Sequence, residues 1–126
     1  MSVLATLVVG AGVFAAAAAA AAETSLKAWG GNTYGQLGDG TTLTRLLPVT
    51  IGGVGGIAGI SAGGGHSLAL LDDGEVVAWG ENSSGELGDG TTTNSDVPVA
   101  VSGLSGVREV SAGAGFSLAL LEDGTV

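Results

Sequence analysis

The chain has 126 residues, and its 25 Gly come with only two Pro and no G-X-Y period, which excludes collagen. Its 12 acidic residues face only Lys27, Arg45 and Arg108, so the net charge is −9, and nucleic acid and anionic lipid are disfavoured as partners. There is no Cys, which excludes disulfides, thiol catalysis and cysteine metal sites.

Residues 1–22, "MSVLATLVVGAGVFAAAAAAAA", carry no charged side chain. An apolar core with small residues before Glu23 fits a secretory signal peptide, although no Lys or Arg precedes it. About 20 apolar residues can also span a bilayer, so an uncleaved anchor is an alternative. "LATLVVGAGVFA" has the outline of a dinucleotide-binding turn. That reading is discounted, because no acidic residue lies at the expected distance and no βαβ pattern follows. A decayed repeat is the fourth reading, since Val8–Ala17 faintly echoes Val110–Ala119.

From Ala28 the chain repeats itself. Ala28–Val76 lies on Ala78–Val126 at an offset of 50 without a gap, and about half the positions agree. The shared blocks are "AWG", an Asn, a Gly, "LGDGTT", "PV", "SAG", "SLALL" and "DG". Divided at these blocks, the units are 23–76 and 77–126, the second truncated. Ser67–Gly80 reads as two β-runs joined at Asp73-Gly74, a dipeptide suited to a tight hairpin turn. Val97–Val101 and Gly106–Gly113 read as further short strands, the latter with imperfect alternation. No sustained helical period follows residue 23.

Four short strands in each 50-residue unit imply an all-β chain of β-propeller blades, about two of them, an incomplete propeller. The period is too long for WD40 blades, a kelch repeat fits by length alone, and β-helix repeats are shorter. The words "AWGxNxxGxLGDGTT", "PV" and "ISAGGGHSLALLDDG" together resemble the repeat of the regulator of chromosome condensation (RCC1) family, in the form that bacterial members carry. The resemblance covers about Leu26 to Val126 and departs from the pattern at Phe116, where a His is expected. It implies a propeller, in that family a ring of about seven blades. The sequence also breaks off inside a hairpin, as a fragment would. Two blades leave open edges and uncovered apolar faces, so the chain is expected to be marginal, to aggregate or to assemble with its own copies.

No catalytic constellation or metal set emerges, and no cofactor is expected. His66 beside Ser67 invites a nucleophile–base reading, but neighbours on a strand point to opposite faces and Phe116 stands at the matching place. Asp39 and Asp89 read as turn-stabilising residues rather than calcium ligands, each being a single acid flanked by Gly38 and Gly40 or by Gly88 and Gly90. Trp29 and Trp79 read as core or inter-blade anchors. Asn82-Ser83-Ser84 matches the glycosylation pattern, which its counterpart Asn32 lacks. Asp72, Asp73, Glu122 and Asp123 read as solvated hairpin acids.

Recognition is expected where the copies differ: Leu43, Thr44 and Arg45 against Thr93, Asn94 and Asp96, with Arg108 and Glu109 further on. The expected role is a non-enzymatic protein-binding scaffold, extracellular, at the cell surface or periplasmic, with a cytoplasmic location as the alternative. The resemblance allows this, since the family has secreted bacterial members, among them an enzyme inhibitor that grips its target with propeller loops. It also offers guanine-nucleotide exchange on a small GTPase as the second reading. Nucleic acid is not expected as a partner, and a membrane only through an uncleaved 1–22.

Overall fold

The computed structural model describes residues 4–9 and 25–126. The strands are β1 (Leu4–Val9), β2 (Ser25–Gly30), β3 (Arg45–Ile51), β4 (Ile57–Ala62), β5 (His66–Leu71), β6 (Val76–Gly80), β7 (Ser95–Ala100), β8 (Val107–Ala112) and β9 (Ser117–Leu121). They form three sheets in the orders β1-β2-β3, β4-β5-β6-β7 and β8-β9. Of the apolar N-terminal segment only β1 is described, paired in parallel with β2. The signal, anchor, dinucleotide and decayed-repeat readings otherwise lie outside the described residues.

The two copies fold alike down to their irregularities. β2–β3 and β6–β7 share a register, with Gly30 opposite Arg45 and Gly80 opposite Ser95, and each slips once just before that glycine. β4–β5 and β8–β9 likewise share a slip, between Ile57 and Gly59 and between Val107 and Glu109. This bulge explains the imperfect alternation of β8: one extra residue puts Val107 and Val110, three apart, on the apolar side. The hairpin turn falls at Asp73-Gly74 as read. Gly74 has φ of 82°, and its N–H donates to Leu71 O at 3.0 Å.

The sheets are out of phase with the sequence repeat. The four-stranded sheet takes β4 and β5 from the first repeat and β6 and β7 from the second. The chain changes sheet in the Gly-rich segments 52–56 and 101–106, whose Gly53, Gly56, Gly103 and Gly106 all have positive φ. One complete antiparallel meander is therefore flanked by the second half of the preceding sheet and the first half of the next.

The apolar cores lie between sheets. Leu26, Ala28 and Ile51 of the first sheet meet Ile57, Ile60, Ala69 and Trp79 of the second, together with Leu37 of the intervening loop. Leu70 and Val76 of the second meet Val107 of the third. Strand β5 is covered on both faces, Ala69 on one side and Leu68 and Leu70 on the other, which is why it reads as an unbroken apolar run.

Candidate functional site

The repeated word folds into a cage around one buried asparagine. Asn32 has no solvent exposure. Its Oδ1 accepts the N–H of Leu37 at 2.9 Å, and its Nδ2 donates to Thr41 O at 2.9 Å and Leu43 O at 3.1 Å. Asn82 repeats this with Leu87 N at 2.9 Å, Thr91 O at 3.1 Å and Thr93 O at 3.0 Å. Asp39 supports the first cage: Oδ1 accepts the N–H and hydroxyl of Thr41 at 3.0 and 2.7 Å, and Oδ2 accepts Arg45 Nε at 2.7 Å. Burial opposes ionisation of Asp39, but the bonds from Thr41 and Arg45 outweigh it and hold its carboxyl below the ordinary value. Bonds from the Thr91 N–H and hydroxyl do the same for Asp89. Asn82 is sealed in the cage with its Nδ2 engaged, so the glycosylation pattern there is inaccessible in the folded chain.

Each cage also receives the next sheet. Gln36 O accepts both Trp79 Nε1–H and Ser67 Oγ–H, each at 2.8 Å. A Cβ on Gly38 would stand 2.8 Å from Trp79 Nε1, so this Gly of "LGDG" is what admits the indole. Trp79 is fully buried, as the anchor reading requires, while Trp29 is half-buried.

His66 lies at the following seam with no exposure. Its Nε2 is 2.8 Å from Ser117 Oγ, whose one proton is donated to Glu86 O at 2.8 Å. The imidazole must therefore carry its proton on Nε2 and donate it. Nδ1 is buried without a hydrogen-bond partner. Burial pushes the His66 pKa down, against the pull of Glu86 and Glu81. A general base needs its lone pair on the nucleophile, and here the lone pair points away from the hydroxyl. Ser67 is committed to Gln36 O and makes no pair with His66. Phe116, its sequence counterpart, is 57% exposed.

The residues expected to contact partners fall in two places. Leu43, Thr44, Thr93 and Asn94 are exposed at the ends of the two cages, ahead of the outer strands β3 and β7. Three members of this set have internal duties: Arg45 is bound to Asp39, Asn94 Oδ1 accepts Asn82 N–H at 2.9 Å, and Asp96 O accepts Gly40 N–H at 2.8 Å across the sheet boundary. Arg108 and Glu109 are exposed on β8, which begins its own sheet, and line a cleft of about 420 Å³ with Ala58–Ser61 of β4. They do not join the cage residues. The buried asparagines are the residues sequence reasoning undervalued, although their presence in both copies was visible. Gln36 and Glu86 act at the seams through backbone carbonyls, which leave no side-chain signal.

Sheets set side by side, with the carbonyl of one word accepting the serine and tryptophan of the next sheet, define an array of β-propeller blades. The chain belongs to the regulator of chromosome condensation (RCC1) repeat family: one model of that description matches residues 28–70 and 73–120, and a second matches residues 57–86. No curated protein matches the chain. Among solved structures, that of Kap60 bound to yeast RCC1 (Prp20) is similar with a TM-score of 0.63 and 26% identity, over 75% of this chain and 25% of that one. Human WBSCR16 is similar with a TM-score of 0.66 and 26% identity, over 75% and 26%. Prp20p from Saccharomyces cerevisiae, in a structure described with its binding to Gsp1p and histones, gives 0.61 and 25%, over 75% and 26%. The chain thus spans about a quarter of each of these proteins.

Proposed function

We propose that the chain is a non-enzymatic protein-binding scaffold, exported or surface-exposed. One observation carries the protein-binding reading: the carbonyls pinned by Asn32 and Asn82 belong to Leu43 and Thr93, the first positions after the shared "LGDGTT" block at which the copies differ. The backbone is fixed by residues common to both copies, while the exposed side chains vary. That is how a rigid framework presents different contacts on equivalent loops. The likeness to Prp20p, described with protein partners, supports a protein as the ligand.

The variant Leu43→Ser/Thr44→Ala/Thr93→Ala keeps the pinned carbonyls and is expected to fold. Its affinity for a captured partner should fall at least about tenfold, as for one hot-spot contact. Unchanged affinity would remove these loops from the reading. Export is tested by N-terminal sequencing, with a mature start near Glu23 expected; an intact Met1 in the cytosol contradicts it. The second reading, nucleotide exchange on a small GTPase, rests on family likeness alone. It is tested by stimulated nucleotide release across a GTPase panel, where the scaffold reading expects none.

A further inference from the structure

Neighbours on a strand ordinarily face opposite ways, yet Arg108 and Glu109 line the same cleft. The bulge in β8 is the cause. Val107 pairs with Leu121 and Glu109 with Leu120, so Arg108 is the extra residue between them. Val107 and Val110 turn to the apolar side, and the two charges between them are left together on the open side. The first copy has the same bulge with Ala58 and Gly59 in these places. The framework therefore needs neither charge. A backbone device common to both copies presents a feature that the second copy alone carries.

Neither charge is committed inside the molecule. Of the three cations, Lys27 Nζ donates to Thr50 Oγ1 and Arg45 is bound to Asp39. The Arg108 guanidinium and the Glu109 carboxylate make no ion pair among the described residues, with each other or with a third group. The cleft they line has about 420 Å³, within the size range of ligand sites. It runs between β4 and β8, whose sheets are already joined at this seam by Ala112 N–H donating to Ser61 Oγ at 3.0 Å. Ile60, Leu70 and Val110 give it an apolar floor.

We propose that this cleft takes an extended segment of a protein partner bearing an acidic and a basic side chain side by side, the carboxylate on Arg108 and the cation on Glu109. The proposal rests on the protein-binding reading. An extended segment is the form that lies along two strands, and its apolar side chains meet Ile60, Leu70 and Val110. At net charge −9 the chain repels carboxylates in general, and Arg108 offers them an uncommitted guanidinium at this one cleft. A segment with two acids would set one against Glu109, and a segment with two bases would set one against Arg108. Like-charge contact thus rejects both.

The test titrates the full 126-residue chain against labelled peptides by fluorescence anisotropy. The peptides share Val-Thr flanks and differ in a central pair: Glu-Lys, Lys-Glu, Glu-Glu, Lys-Lys or Gln-Gln. A mixed pair, in one order or both, should bind at least about tenfold more tightly than the other three. Arg108→Glu should move the preference to Lys-Lys, and Glu109→Lys should move it to Glu-Glu. Both positions are exposed, so both variants should fold. The Leu43→Ser/Thr44→Ala/Thr93→Ala variant should bind the mixed peptide as the wild type does, because those loops lie away from the cleft. No binding of either mixed peptide, no preference for one, or a preference that the two charge substitutions leave unchanged overturns the proposal. Loss of peptide binding in the loop variant also overturns it, by placing the contact at the loops. Peptides that fail while the loop variant still loses its captured partner overturn the cleft alone and leave the protein-binding reading standing.

Discussion

Replacing Asn32 with Ala tests whether the cage sets the fold of the repeated word. The substitution removes an acceptor for Leu37 N–H at 2.9 Å and a donor to Thr41 O and Leu43 O at 2.9 and 3.1 Å. Leu37 is fully buried, so its N–H is left without water, at a cost of about 1–3 kcal/mol. Two lost bonds to carbonyls nearer the surface add about 0.5–1.5 kcal/mol each, for a total of about 2–6 kcal/mol. Against a domain stability of about 5–15 kcal/mol, this is a large fraction. Urea titration followed by tryptophan fluorescence should show the midpoint falling with little change in slope. Asn32→Asp sharpens the test. It keeps the acceptor for Leu37, loses both donations and sets a carboxylate beside Asp39 Oδ1, 3.3 Å from the original Nδ2. Repulsion raises the folded-state pKa of the introduced acid, so its penalty is smallest below about pH 4 and grows as pH rises through that value. A loss under about 1 kcal/mol for Asn32→Ala, well below what an orphaned buried amide costs, would refute the cage as the organising element.

Gly38→Ala should destabilise by about 2 kcal/mol or more, since φ is 78° and the new Cβ would stand 2.8 Å from Trp79 Nε1. A red shift in Trp79 emission should accompany it, and unchanged stability would show that the indole can retreat. Burial holds the folded-state pKa of His66 below the ordinary imidazole value of about 6.5, so the unfolded chain binds more protons between the two. Its neutral form therefore contributes stability that is present above about pH 6.5 and lost as pH falls towards the depressed value. His66→Phe, the residue found at 116, should flatten stability against pH in that window; an identical slope in both proteins contradicts the assignment.

The parts of the fold that rest on local chemistry were legible in the sequence. The Asp73-Gly74 turn and the strands of the "SLALL" hairpin follow from residues two to fifteen apart, the Trp79 anchor from its strand-like run, and the family from blocks repeated fifty residues on. The β5–β6 pairing across the copy boundary was legible as the Ser67–Gly80 hairpin. Where each sheet ends was not: a repeat can be cut at any point in its period, and only hydrogen bonding shows that the chain changes sheet at 52–56 and 101–106. Of the divergent positions, Leu43 and Thr93 are exposed, while the guanidinium of Arg45 is paired with Asp39. A salt bridge from a loop aspartate to the first residue of the next strand leaves no periodic trace.

The same five letters show what repetition cannot encode. "SLALL" is β9 and, after His66, the rest of β5, with one sequence and one register. Leu68 is 2% exposed and Leu118 is 50% exposed. Their chemistry is identical, so the difference lies in their surroundings: Leu68 packs among Ala78, Leu87, Val99, Val101, Val110 and Ala112, whereas Leu118 belongs to none of the three buried clusters. Burying the remainder of Leu118 would recover about 1 kcal/mol of hydrophobic stabilisation. Identical words thus carry equal apolar surface, and only the neighbouring sheet decides how much of it is covered.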